Sequence, residues 1–105
     1  QDRLFGNNGG DRLNGEDGDD RMFGGDGSDF VFGGNGNDQG FGEAGDEDSV
    51  DGGPGDDFSS GGPGGDIVGD CNGHDRIDAG PGDSDICQFT PGDDTAIGCE
   101  NPFPC

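Results

Sequence analysis

Aspartate is the residue whose spacing most clearly points to chemistry in this chain. It recurs at intervals of nine or ten residues, at Asp2, Asp11, Asp20, Asp29, Asp38, Asp48, Asp57, Asp66, Asp75, Asp85 and Asp94. Ionised carboxylates are ligands for hard cations such as calcium, which takes six to eight oxygens at about 2.3–2.6 Å. The series therefore predicts repeated calcium sites along the chain.

The residues around each aspartate repeat in the same phase. Residues 24–32 are followed by a similar unit at 33–41, and the units at 42–51 and 79–88 hold ten residues instead of nine. With the unit numbered from one to nine, Asp is at position six, Gly is at position four in all ten units that contain it, and position eight is apolar in nine of eleven cases. Such a period indicates repeats that stack on one another.

This pattern resembles the RTX (repeats-in-toxin), or haemolysin-type, calcium-binding nonapeptides, Gly-Gly-x-Gly-x-Asp-x-apolar-x, over residues 2–97. The resemblance implies an all-β fold, a right-handed parallel β-roll (a β-solenoid) with calcium ions in its turns. Six residues of each unit would form a turn, three would form a strand, and two units would complete one coil. Residues 98–105 are interpreted as a C-terminal cap or tail, and residues 101–105 are not expected to continue the strands.

Some units depart from the pattern. Gly is absent from position one at Asp70, Ala79 and Phe89, and from position two at Asn7, Glu16, Glu43, Cys71 and Thr90. Because positions four and six never change, we expect altered turn geometry at the C-terminal end and not loss of the fold.

The turn composition suits calcium binding. Gly allows positive φ and a close approach of the backbone to an ion. One short turn offers too few oxygens, so each site is expected between turns two units apart. The resemblance implies the same arrangement, with the position-six aspartates as side-chain ligands. Turn carbonyls are expected to complete the shell, among them those of Gly24, Asp26, Gly27, Gly33, Asn35, Gly36, Gly52, Pro54, Gly55, Gly61, Pro63 and Gly64. Stacking of this kind gives about eight or nine calcium ions.

The predicted core is thin. It consists of the position-eight residues Leu4, Leu13, Met22, Val31, Val50, Val68, Ile77 and Ala96, and Gly40 and Ser59 are expected to leave it thin or open in the middle. Ordering the backbone costs roughly 1–2 kcal/mol per residue. We therefore expect calcium binding to supply the missing folding free energy, and the calcium-free chain to be disordered.

Composition excludes several classes of partner. The 105 residues contain 25 Asp and Glu against four Arg, for a net charge of −21, which disfavours nucleic acid and anionic membranes as partners. No segment is long and apolar enough for membrane insertion, and no signal peptide starts the chain. We interpret it as a secreted, extracellular segment whose export signal has been removed or lies elsewhere. His74 is expected to be a solvated turn residue, and no catalytic motif is present, so the chain is not expected to be an enzyme.

The even number of cysteines favours disulfides in an oxidising compartment. In the roll that the resemblance implies, Cys87 and Cys99 lie near the same end of successive strands and are the favoured pair, while Cys71 and Cys105 are paired or free. A zinc site is less favoured because no Cys-x-x-Cys spacing occurs.

The aromatic residues at position nine, Phe5, Phe23, Phe32 and Phe41, are expected on an outer face. They would either pack against one another along the solenoid or form a contact surface for a partner.

Three roles remain open from the sequence. The roll is a calcium-dependent stabilising module of an exported protein, or a subunit that stacks end to end into filaments through open solenoid ends, since the chain begins within a repeat. A third role is an adhesive or mineral-binding surface formed by the acids outside position six, Asp19, Asp26, Asp46 and Asp56.

Overall fold

The computed structural model describes residues 1–45, 47–82, 84–90 and 92–105. Its strands are β1 (Arg3–Phe5), β2 (Arg12–Asn14), β3 (Arg21–Phe23), β4 (Phe30–Phe32), β5 (Gln39–Phe41), β6 (Ser49–Asp51), β7 (Phe58–Ser60), β8 (Ile67–Gly69), β9 (Arg76–Asp78), β10 (Ile86–Phe89), β11 (Thr95–Ile97) and β12 (Asn101–Pro104). In this part of the chain no helix is long and apolar enough to cross a membrane.

Consecutive strands alternate between two parallel sheets. One sheet has the order β1-β3-β5-β7-β9-β11, and the other has the order β12-β10-β8-β6-β4-β2. The register pairs equivalent positions of units that are two apart, such as Leu4 with Met22 and Val31 with Val50. The fold is thus a parallel β-solenoid of about six coils, which confirms the predicted fold class.

The core lies between the sheets and is built mainly from position eight. The middle residue of a three-residue strand points inward, so most strands show one buried residue between two more exposed ones. The buried apolar residues are Leu13, Met22, Val31, Val50, Val68, Ile77, Ala79 and Cys87, and the predicted core members Leu4 and Ala96 are partly buried at the ends.

The core was predicted to be thin or open at Gly40 and Ser59, and at Gly40 it is not open. A Cβ atom added there would lie 2.9 Å from Val50 Cγ1 and 3.2 Å from Val31 Cγ1, because these larger side chains already fill the space. Ser59 is fully buried, and its hydroxyl donates a hydrogen bond to Asp70.

The turns explain which glycines can be replaced. Position two takes positive φ even where it is not Gly, with 76° at Asn7 and 70° at Glu16. In the ten-residue units position two keeps this conformation, with 73° at Glu43 and 89° at Gly80, and the inserted residues Glu47 and Ser84 adopt it as well, at 68° and 75°. Cys71 and Thr90, also at position two, do not adopt it. The expected change of turn geometry toward the C-terminus is therefore confirmed at Cys71 and Thr90.

The C-terminal residues continue the fold. The expectation that residues 101–105 cannot extend the strands is wrong, because β12 pairs in parallel with β10. Asn101 N donates to Asp85 O at 2.9 Å, and Cys105 N donates to Phe89 O at 3.1 Å. Pro102 and Pro104 are compatible with this position because β12 is the outermost strand of its sheet, where a missing N–H is tolerated.

Both cysteine pairs form disulfides. Cys87 and Cys99 are bonded as favoured, and Cys71 is bonded to Cys105. The second bond ties the end of β12 to the turn that begins at Asp70.

Three of the position-nine aromatic residues pack locally. The rings of Phe5, Phe23 and Phe41 stack with centroids 5.1 Å apart, and Phe58 continues the row at 5.7 Å from Phe41. Of the two alternatives, local packing is confirmed for Phe5, Phe23 and Phe41, and a contact surface for a partner stays a prediction. Phe32 belongs to the other sheet and is 40% exposed.

Candidate metal sites

Each position-six aspartate ends a turn and immediately precedes a strand. From Asp20 onward, Oδ1 accepts a hydrogen bond from the backbone N–H of the aspartate two units earlier, as Asp20 does from Asp2 at 2.6 Å and Asp29 from Asp11 at 2.8 Å. The aspartates form two rows on opposite sides of the solenoid: Asp2, Asp20, Asp38, Asp57, Asp75 and Asp94 in one, and Asp11, Asp29, Asp48, Asp66 and Asp85 in the other. The structure therefore brings together the aspartates that the sequence paired, two units apart.

The second carboxylate oxygen has no such role in seven of these residues. Oδ2 is buried and accepts no hydrogen bond in Asp11, Asp20, Asp29, Asp38, Asp57, Asp75 and Asp85. Burying an ionised oxygen without a partner is strongly unfavourable, so buried charges in proteins are normally paired or coordinate a metal. A row of such oxygens fits calcium as the missing partner.

Protein cations do not supply this partner in the described part of the chain. Arg3, Arg12, Arg21 and Arg76 are all exposed at position seven, where the strand directs side chains outward. The N-terminal ammonium lies 3.8 Å from Asp20 Oδ1 at one end of its row.

Burial without counter-charge alters the acidity of the first row. Desolvation raises the pKa of Asp57 to about 7, with smaller increases from the charges of Asp38 and Asp75 and an opposing effect of the N–H donated by Asp38. Desolvation likewise raises the pKa of Asp38 and of Asp75. A divalent ion would relieve this penalty by stabilising the ionised forms.

Backbone carbonyls of position one converge on the same oxygens. A Cβ atom added to Gly24 would lie 2.6 Å from Asp29 Oδ2 and 2.8 Å from Gly42 O, and one added to Gly61 would lie 2.7 Å from Asp66 Oδ2 and 2.8 Å from Ala79 O. Gly33 repeats the arrangement with Asp38 Oδ2 and the carbonyl oxygen of Gly52. Gly at position one therefore keeps open a small space that is lined by a carbonyl and a carboxylate oxygen.

The other predicted carbonyls stack along the turns. Those of Asp26, Asn35 and Pro54, at position three, each accept an N–H from a position-four glycine two units earlier, which leaves one lone pair free. The position-four carbonyls each lie against the position-four glycine of the next coil. They are the carbonyls of Gly27, Gly36, Gly55 and Gly64. Pro63 is exposed in its turn. The assignment of individual ligands stays a prediction.

The sequence reasoning missed two acidic residues. Glu100 Oε2 accepts the N–H of Asp85 at 3.3 Å. In the last coil it thus makes the hydrogen bond that a position-six aspartate makes elsewhere. Glu100 directly precedes β12, as each position-six aspartate directly precedes its strand, and this position could have predicted its contact with Asp85. Asp70, noted only as a departure from Gly, is 1% exposed and lies with Asp57 and Asp75 in a cluster whose ligand oxygens are within 4.8 Å of one another.

Acids at position five also have a structural part. Asp19 Oδ1 accepts a hydrogen bond from the backbone N–H of Asn37 at 2.8 Å. In the next coils Asn37 Oδ1 accepts one from the N–H of Asp56 at 3.0 Å, and Asp56 Oδ1 accepts one from the N–H of His74 at 2.9 Å. These side chains are exposed but hold neighbouring turns together. Asp26 is exposed, and Asp46 lies outside the described residues.

Parallel coils, glycine-lined turns and buried carboxylate rows define a β-solenoid built for cation binding. A family model for the RTX calcium-binding nonapeptide repeat, in four copies, matches residues 5–40 and 32–68. The chain belongs to this family. Neither a curated protein nor a solved structure matched it.

Proposed function

We propose that this chain folds when calcium fills its inter-turn sites outside the cell, and that the folded solenoid stabilises an exported protein of which it is a module. The observation that supports the proposal most directly is that Oδ2 is buried without a hydrogen-bond partner in seven of the position-six aspartates, among them Asp20, Asp29 and Asp57. The proposed role is ion binding and structural support without catalysis.

The balance of buried groups explains why folding would require calcium. Among the described residues eight apolar side chains form the core, and nine aspartates are also buried. Dehydrating carboxylates opposes folding, and the net charge of −21 adds repulsion between coils. Binding of about eight or nine divalent ions would cancel most of this charge. We propose that sites sharing a turn fill cooperatively.

Two features support an extracellular location. Disulfides such as Cys71–Cys105 and Cys87–Cys99 persist in oxidising compartments. Extracellular calcium-binding modules also work at about 10⁻⁴–10⁻³ M calcium, so export itself would start folding.

A calcium titration followed by circular dichroism and small-angle scattering tests the proposal. We expect a disordered, expanded chain in chelator and a compact, strand-rich chain in calcium. Magnesium should replace calcium poorly because it requires tight octahedral geometry and dehydrates reluctantly. A strand-rich spectrum that does not change in excess chelator would refute calcium-dependent folding.

The alternative is a subunit that stacks end to end into filaments. The outer strand β12 carries Pro102 and Pro104, and prolines on an edge strand disfavour pairing with another chain. We therefore favour the stabilising module. Electron microscopy of the calcium-loaded protein separates the two, since the module gives dispersed short rods and the alternative gives long filaments.

A further inference from the structure

Asp70 occupies a position that Gly holds in the first seven complete repeats. In those turns the space beside position one is lined by the Oδ2 of the position-six aspartate and, in six of the seven, by the backbone carbonyl of the position-one residue two units later. At Gly52 the nearest oxygen is instead the Asp70 carboxylate Oδ2, and Asp57 Oδ2 lies 2.6 Å from the same added Cβ position. Beside Gly52 a carboxylate oxygen thus occupies the place that a backbone carbonyl oxygen occupies in the other turns.

A second departure from the repeat supports this side chain. Ser59 replaces an apolar residue at position eight, and its Oγ donates to Asp70 Oδ2 at 3.2 Å inside the core. Asp70 Oδ1 remains buried without a hydrogen-bond partner, as do the Oδ2 atoms of Asp57 and Asp75. One oxygen from each of the three carboxylates lies within 4.8 Å of the other two.

The backbone at Asp70 is fixed from several directions. Asp70 N donates to Gln88 O at 2.9 Å, and its carbonyl oxygen lies 3.6 Å from Cys105 Sγ. The adjacent Cys71 is bonded to Cys105. A carboxylate held by a rigid backbone is a better cation ligand than a mobile one, because less conformational entropy is lost on binding.

We propose that Asp57, Asp70 and Asp75 form a three-carboxylate cation site that differs from the two-carboxylate sites of the other turns. The inference rests on the proposed function, since it assumes that calcium occupies the inter-turn positions, and it adds that one of them has its own ion preference. Three carboxylates and a hydroxyl are hard oxygen donors. Calcium would bind there in the secreted protein, and a trivalent lanthanide would favour this site over the others because its extra charge matches the third carboxylate.

Paramagnetic broadening in the calcium-loaded full chain provides the test. Gd³⁺ is added well below one equivalent, and amide NMR signals are followed in the wild type and in Asp70→Gly, which restores the repeat residue, and Asp70→Asn, which keeps the shape. We expect broadening in the wild type to centre on residues 52–57 and 70–75. In both variants the preference should be lost, with Gd³⁺ affinity at these turns falling about tenfold or more because one charged ligand is gone.

Asp56→Asn is the matched control. It removes the same charge from an exposed side chain of the turn at residues 52–57, which supplies Asp57 to the site, and keeps an oxygen that can accept the N–H of His74. The control should leave the broadening pattern as it is in the wild type. Circular dichroism in calcium verifies that all variants are folded.

The possible results separate this inference from the proposed function. If calcium folds the chain but Gd³⁺ distributes evenly, or if Asp70→Gly behaves as the wild type, the three-carboxylate site is wrong and the calcium module stands. An equal loss in Asp56→Asn also overturns it, because general charge would then explain the effect. A chain that binds neither ion overturns both proposals.

Discussion

Asp75 Oδ1 accepts the backbone N–H of Asp57 at 2.9 Å, although the two residues are 18 positions apart and carry like charges when ionised. The same relationship recurs along both rows of aspartates. One carboxylate oxygen therefore joins neighbouring coils, and we propose that the other binds a cation in residues such as Asp57 and Asp75, where it is buried without a hydrogen-bond partner. Structural and ion-binding effects of these residues can be separated by substitution.

Asp29→Asn should weaken calcium binding while it preserves the contact between coils. The amide oxygen can still accept the N–H of Asp11, but the charge at Oδ2 is lost. We expect the calcium midpoint of folding to rise about two- to tenfold, since ligand charge sets affinity. A calcium titration by circular dichroism measures the midpoint.

Asp29→Ala should have a larger effect because it also leaves the Asp11 N–H without its acceptor, at about 1–3 kcal/mol. Asp26→Asn, at an exposed side chain of the same turn, is the control and should stay near the wild-type midpoint. Equal midpoints for Asp29→Asn and Asp26→Asn would contradict the ligand role of Asp29.

The calcium-free chain should gain structure on acidification. Burial raises the pKa of Asp57 from its ordinary 3.8 to about 7, so the folded form binds a proton that the unfolded chain releases over this range. The stability of the calcium-free fold should therefore increase as pH falls from about 7 to about 4, and the cost of burying the ionised Asp57 carboxylate should be complete above pH 7. Circular dichroism of the protein in excess chelator between pH 4 and pH 8 checks this. A constant spectrum would show that the Asp57 carboxylate is not buried when calcium is absent.

Gly24→Ala should impair calcium-dependent folding. The new methyl group would lie 2.6 Å from Asp29 Oδ2 and 2.8 Å from Gly42 O, in the space between the two oxygens. We expect a loss of about 1–3 kcal/mol in the folding free energy, as for overpacking, together with a higher calcium midpoint. Gly69→Ala is the control, because its added Cβ would meet only Gln88 Cβ, at an ordinary 3.8 Å. Similar losses in the two variants would argue against a specific space beside Asp29.

Removing one disulfide should loosen the C-terminal coil alone. In the double variant Cys71→Ser and Cys105→Ser, β12 loses its covalent link to the turn at Asp70, which typically stabilises a protein by about 2–4 kcal/mol. Hydrogen exchange in calcium should become faster around residues 101–105 and remain slow in β3–β6, because the coils of a solenoid contact mainly their neighbours. Uniformly faster exchange would mean that the first coils depend on the cap.

The repeated part of the molecule was predictable from the sequence. Units of equal length with an inward apolar residue can bury it only by stacking, and a nine-residue period with Gly at position four allows a turn and a short strand. The two rows of aspartates, the alternation of strands between two sheets and the favoured Cys87–Cys99 pair were expected from this regularity together with the roll that the family resemblance implies.

The tertiary structure decided what happens where the repeat is broken. The closure of the core at Gly40 depends on Val31 and Val50, β12 depends on the open edge of β10, and Glu100 takes part only because that strand brings it beside Asp85. Likewise, Asp70 meets Ser59 and Asp57 through side-chain directions and contacts between units. A period specifies which positions stack, but the contacts of an irregular residue depend on neighbours in other coils, whose distances only the folded chain sets.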